Sequence, residues 1–301
     1  MQNDGIRPLN NDDIQITIVE ESEKYEKIQK VKPNIIFNRW DMLGYNFQVL
    51  HIKRTNHDDM YIGFKIGHDK ICFFGLYMME IEKRVLEAAM FFISKKFNIF
   101  QFGLGNSLNI YPQLLAGVHW LLELPSSYEE YLQRFSRKTR YNRKREFQKL
   151  KESYCCEIKH LGKGEVPLDL VRELIQKKSE QYGGENNLLI ITSWGLHACL
   201  SITDAWVMYL NGKSAAMIFY SIMPNSSDAA CISMAYEPEY KDYFVGNSLY
   251  YHSIKELIER KIKRVYMGGG EFDYKENAHC IKNIICGGIM NLPNPLSLLS
   301  V

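Results

Sequence analysis

The 301-residue sequence has no run of about 18 consecutive apolar residues, so no transmembrane helix is expected. Its first stretch, MQNDGIRPLNNDD, is polar and acidic with no apolar core, so no signal peptide is expected. The seven cysteines (Cys72, Cys155, Cys156, Cys199, Cys231, Cys280 and Cys286) form no CxxC pair. Scattered and odd in number, they suit buried thiols in a reducing compartment better than a disulfide framework or a zinc site. No Gly-Lys-Ser/Thr follows a glycine-rich stretch, which excludes a Walker A loop. GLGNS and GGGEF lack the GxGxxG spacing and the following helix of a dinucleotide fold. The expectation is a cytoplasmic chain with no metal site.

A charge excess of one sign is also missing, since the net charge is only +2. That balance hides one concentration. From Arg134 to Lys151, nine of eighteen residues are Arg or Lys and one, Glu146, is acidic, which leaves the remainder of the chain at −6. A general nucleic-acid binder spreads positive charge over a face, so the run points to a local role.

With 46% hydrophobic residues the chain can bury one or two cores, and its length suits two domains. LPSSYEEYLQRF carries Ser126 and Ser127 ahead of Glu129 and Glu130, a capping-box pattern, and it predicts one helix over 127–152. LDLVRELIQKKSEQYGG predicts an amphipathic helix stopped by Gly183-Gly184. Asn211-Gly212 between two apolar runs predicts a hairpin. AACISMAY (229–236) reads as the next strand, SLYYHSIKELIERK as a helix, and KRVYMGGG as a strand ending in glycines. The N-terminal half echoes this with a hairpin around Gly67, the helix EIEKRVLEAAMFFISKKF and the strand NIFQFGLG. Strand, helix, strand and Gly-rich end thus occur at 71–105 and again at 229–270, which predicts a duplicated domain. The expected division is 1–126, a connecting basic helix over 127–152, and 153–301.

YFVGNSLYYHSI places a glycine just before a helix. Backbone N–H groups of a first helical turn, together with the helix dipole, form an anion site. Val245, Gly246, Asn247, Ser248 and Leu249 are therefore the candidate phosphate cradle, although an ordinary helix cap would read the same way. His252 lies inside the helix and reads as structural.

The order of SSYEEYLQRFSRKTRYNRKREFQKL, the Asn-Gly hairpin, EYKDYFVGNSLYYHSIKELIERK and VYMGGGEFDYKEN resembles the FemAB-like, GNAT-type acyltransferases. The matching positions are Ser136, Arg137, Lys138, Thr139, Arg140, Arg143 and Lys144, then Gly246, then Gly268, Gly270, Tyr274 and Lys275. Family members often carry an aromatic soon after the Tyr-Lys pair; here Ala278, His279 and Cys280 stand there. The resemblance implies an α/β chain of two tandem GNAT-like domains, each a mixed sheet flanked by helices. It implies an acyl-CoA co-substrate laid on residues 245–249, with its pantetheine arm along Ser233, Ala235 and Tyr236. The acceptor is an amine that attacks the thioester directly. The base is then Asp273 or Glu271 and the acid Tyr274, with Lys275 on an anionic substrate group. Similar size and paired domains occur in bacterial enzymes that acylate an amino sugar on a nucleotide carrier for surface-polysaccharide synthesis.

Three roles compete for the basic run: a solvated or internally paired surface, a phosphate site formed by Arg137, Arg140, Tyr141, Arg143 and Lys144, and an RNA contact. The phosphate reading is preferred to RNA, because the charge spans only about five turns and no long heptad-patterned helical hairpin accompanies it. A Fem-like transferase using aminoacyl-tRNA and a non-catalytic module with a degenerate GNAT fold are the alternatives.

Overall fold

A computed structural model describes residues 13–19, 47–57, 59–67, 70–74, 81–106, 115–182, 203–222, 227–269 and 273–292. Among these the chain divides into two compact units. One holds the residues up to Gly117 together with those from Ile284 onward, and the other holds Val118–Asn283. The basic run therefore lies within the second unit.

In the first unit β1 (Ile14–Ile18), β2 (Phe47–Arg54), β3 (Met60–Ile66) and β4 (Ile71–Phe74) pair antiparallel in sequence order. β4 then pairs parallel with β5 (Gln101–Asn106), in the register Ile71↔Phe102 and Cys72↔Gly103. A parallel neighbour requires a crossover. Helix α1 (Lys83–Phe97) supplies it and buries Val85, Leu86, Ala89, Met90 and Ile93 in a core with Leu50, Ile52, Ile62 and Phe64.

The second unit repeats the plan. The antiparallel series is β7 (Cys156–Leu161), β8 (Thr203–Leu210), β9 (Lys213–Ile222) and β10 (Asp228–Tyr236), and β10 pairs parallel with β11 (Arg264–Tyr266). The β8–β9 turn is Asn211-Gly212, with φ of 50° and 82°, the two left-handed residues that a type I′ hairpin needs. Before the sheet come α2 (Tyr128–Gln133) and α3 (Arg137–Ser153), and α4 (Leu168–Tyr182) follows β7. The crossover from β10 to β11 is a 3-10 turn (Pro238–Tyr243) and α5 (Val245–Glu259), whose Leu249, Tyr250, Ile254 and Leu257 pack on Trp206, Tyr220 and Val265.

The sixth strands are exchanged. β6 (Leu115–Glu123) follows β5 in sequence yet pairs antiparallel with β11, while β12 (Ile281–Asn291) follows β11 and pairs antiparallel with β5. The fold is α/β with two mixed sheets flanked by helices, as expected.

The helix expected over 127–152 is two helices. Ser127 accepts the Glu130 N–H at 3.2 Å and starts α2. Ser136 accepts the Thr139 N–H at 3.1 Å and starts α3 afresh, with ψ 154° at the cap breaking the helical path. Phe135, in the break, is buried. The predicted stop at Gly183-Gly184 lies outside the described residues.

Candidate functional site

The site lies in the second unit, where β10 and β11 part. Their parallel pairing ends at Ala230↔Tyr266, and a bulge between Cys231 and Ser233 follows. Beyond it, β10 stays with β9 through Tyr236↔Ala216, whereas the chain after β11 stays with β6, Met267 donating to the Trp120 carbonyl at 2.8 Å. Ser233, Ala235 and Tyr236, the residues expected along a pantetheine arm, all stand past the end of the β10–β11 pairing. A strand edge there offers peptide groups to an extended amide chain.

The first turn of α5 closes the same end. Its cap is Phe244, a left-handed residue with φ 53° and no capping hydrogen bond from its side chain. No acidic residue occupies the turn. Ser248 already donates its N–H to the Phe244 carbonyl at 2.9 Å, so the open amides of the expected cradle are those of Val245, Gly246 and Asn247. The side chains of Val245 and Leu249 point into the core, and Asn247 is exposed. Gly246 has a packing reason as well. A Cβ there would stand 3.0 Å from Cδ1 of Tyr236, so a larger residue would push on that ring.

A pocket of about 540 Å³ opens beside this turn. Asn247 and Phe244 line one wall, and Thr139, Asn142, Arg143 and Glu146 of α3 line another. Tyr274 and Asn277 come from α6 (Asp273–Asn277). The four α3 residues recur at helical spacing, so one stripe of the basic helix faces the pocket.

Arg143 is the cation of that stripe. Its guanidinium carbon sits 3.7 Å from the ring centroids of both Phe135 and Tyr251, whose planes meet at 84°, so the group is held by cation–π contact in an aromatic corner. Nη2 donates to the Tyr251 hydroxyl and, at 3.4 Å, to the Asn277 carbonyl. Nη1 is buried and has no hydrogen-bond partner among the described residues. Burial pushes the Tyr251 hydroxyl up to about 12, against the opposing charge of Arg143, so it stays a neutral donor and acceptor.

The other expected phosphate ligands lie elsewhere. Arg137 and Lys144 are exposed, Tyr141 is 65% exposed, and Arg140 donates to the Phe135 carbonyl at 2.6 Å. Among the described residues no cation of α3 makes an ion pair with a carboxylate. Internal pairing with the acidic remainder of the chain thus does not account for the run.

Lys275, expected on a substrate anion, is 1% exposed. Its ammonium donates to the carbonyls of Gly268 and Gly269 and clamps the turn after β11. Burial, helped by the Lys275 charge, holds the imidazole of His119 down at about 4, neutral at ordinary pH. Tyr274 does line the pocket and packs edge-on against Tyr250, with ring centroids 6.3 Å apart. Asp273 is the exposed first residue of α6 and is not part of the pocket wall, and Glu271 lies outside the described residues. Burial pushes the Cys280 thiol up to about 12, so it stands as a protonated thiol rather than a nucleophile. His252 meets Glu256 at 3.0 Å on the same helix, which fits a structural role.

Sequence reasoning missed Thr139, Asn142, Glu146 and Asn277. The first three carry the helical spacing that would have found them, had the side of α3 facing the pocket been known.

Residues 137–276 match the family model of the acetyltransferase (GNAT) domain. A search of curated proteins gives no match. Among solved structures the chain is similar to FemX, with a TM-score of 0.64 at 10% identity over 95% of this chain and 99% of that one. It is also similar to a C-terminal domain assigned to lysylphosphatidylglycerol synthetase from Agrobacterium fabrum, with a TM-score of 0.57 at 11% identity over 88% and 90%. Both likenesses are likenesses of fold. Residues 137–276, which include the basic helix, the open α5 turn and Tyr274, thus match a GNAT acetyltransferase domain, and the chain shares the fold of FemX.

Proposed function

We propose that the chain transfers an acyl group from an acyl-CoA thioester to a substrate amine. One observation carries this reading: the open first turn of α5, through Phe244 and Asn247, and Tyr274 line one pocket of about 540 Å³. The residues fit the donor. The amides of Val245, Gly246 and Asn247 with the helix dipole suit a pyrophosphate, and β10 from Ser233 to Tyr236 suits the pantetheine arm. The donor supplies an acyl group already activated as a thioester. Tyr274 holds the proton for the sulfur that departs, and the pocket holds the amine at contact distance. A nucleotide-linked amino sugar is the acceptor proposed for testing, on the strength of the resemblance in the sequence and of Arg143.

A second reading, with aminoacyl-tRNA as donor, is favoured by the outward side of α3. Arg137, Lys138, Lys144 and Arg145 are exposed there without carboxylate partners, beside Tyr141. A thiol-release assay over a panel of acyl-CoAs, with nucleotide-linked amino sugars as acceptors, separates the two. The first reading expects thiol release that depends on the acceptor. No release with any acyl-CoA, together with salt-sensitive binding of tRNA, would transfer the assignment to the second.

A further inference from the structure

Glu146 is the one acid among eighteen residues that include nine cations, and it is on the side of α3 that lines the pocket. Arg143 precedes it by three residues and Lys149 follows it by three, spacings at which side chains of a helix meet. Its carboxylate nevertheless makes no hydrogen bond or ion pair among the described residues. A carboxylate in a cationic field with no partner, facing a cavity, is available to a ligand. One turn away Arg143 presents a guanidinium held in the corner of two rings, with Nη1 buried and without a hydrogen-bond partner among the described residues. A buried unsatisfied donor is costly, and a small shift of the wall toward a bound anion would remove that cost.

We propose that the pocket binds the acceptor as a zwitterion, its ammonium on Glu146 and its anionic group on Arg143. This rests on the acyltransferase reading and narrows its substrate class to amines that carry a negative group close by. The two charges act on a common neighbour: Glu146 raises the Tyr251 hydroxyl and Arg143 lowers it, so both lie within electrostatic reach of one ring. Glu276, on the wall formed by α6, adds a second carboxylate for the ammonium. Asn247 of α5 and Tyr274 of α6 line the same pocket, beside the expected donor site, and the ammonium becomes the attacking amine by giving its proton to Glu146. A simple ammonium would leave Arg143 without a partner, and a plain anion would be repelled by Glu146. The pair of charges therefore selects against both.

The test is calorimetry on the full chain with O-phosphoethanolamine, β-alanine and a nucleotide-linked 4-amino sugar, against ethanolamine and inorganic phosphate. At least one zwitterion should bind more tightly than either single-charge control, and the tightest identifies the anionic group. Glu146→Gln should weaken that zwitterion roughly tenfold or more, the size of a lost charged hydrogen bond, and leave acyl-CoA binding unchanged. Arg143→Lys keeps the charge beside the two rings and should also weaken it, since the fork is lost. Zwitterion binding equal in Glu146→Gln and wild type, or no tighter than phosphate alone, would overturn the proposal. If wild type binds no acyl-CoA yet takes a zwitterion through Glu146, the pocket assignment stands and the donor reading falls.

Discussion

The two units share a strand plan and differ where a ligand would enter. Each places a helix between its fourth strand and a parallel fifth strand. In the second unit that helix, α5, begins at a left-handed Phe244 with no side-chain cap and no acid in its first turn. In the first unit the helix, α1, begins at Glu82. The Glu82 carboxylate accepts from Arg84 at 2.7 Å and from Arg54 at 3.0 Å. Its hydrogen bond to Arg84 holds it below the ordinary carboxylate range. Neither start has a side-chain cap, but α1 carries a carboxylate at its cap position, held by two arginines, and α5 carries none. Shared topology does not confer shared chemistry, because a carboxylate already at a helix start repels an incoming anion that the dipole would otherwise favour.

The largest effect is expected at the residue for which the first unit shows no counterpart among its described residues. Tyr274→Phe removes the hydroxyl proposed to protonate the leaving sulfur and keeps the ring that packs on Tyr250. Turnover should fall roughly 10²-fold, the scale of one general acid, with KM for the donor little changed. Steady-state kinetics across a series of thioesters with leaving thiols of rising acidity checks the role. The defect should shrink as the thiol becomes easier to expel, and a uniform defect would mean that Tyr274 only shapes the pocket.

A smaller effect should follow from giving the second unit what the first already has. Asn247→Glu puts a carboxylate in the first turn of α5, where it faces the pocket and suits the dipole. The protein should be as stable as wild type, while acyl-CoA affinity drops about tenfold or more through repulsion of the phosphates. Unchanged affinity by calorimetry would remove the α5 turn from the donor site.

Local signals made much of the fold legible in the sequence. Asn211-Gly212 fixed a hairpin because both residues tolerate positive φ, and the period of Tyr250, Ile254, Leu257 and Ile258 marked the buried side of α5. Other features depend on what a segment meets. Ser136 looks like one more polar residue in a helical stretch until its side chain is seen capping Thr139. The exchange of β6 and β12 is hidden because an apolar strand does not encode its neighbour. Tyr274 was singled out as following a Gly-rich end and Asn247 as standing at a helix start, and both line the pocket. Lys275 looked like a surface ligand, because a sequence does not show that two glycine carbonyls wait for its ammonium. Gly246 was read as clearance for a phosphate, and its tightest contact is with Tyr236.

The smallest and sharpest test removes the anion from the first unit. Glu82→Gln leaves the α1 start with the guanidinium groups of Arg54 and Arg84 and no carboxylate between them. The side chain of Arg54 is only 12% exposed, and its Nε is already buried without a partner, so the site would be short of an acceptor. Inorganic phosphate or sulfate should then raise the melting temperature of the variant more than that of wild type, by mass action on a newly open anion site. Donor affinity at the second unit should not change, and one acyl-CoA should bind per chain in both proteins. An equal response of the two proteins to phosphate would show that Glu82 does not fill the place of a bound anion. The contrast between the two helix starts would then have to rest on the geometry of the Phe244 turn alone.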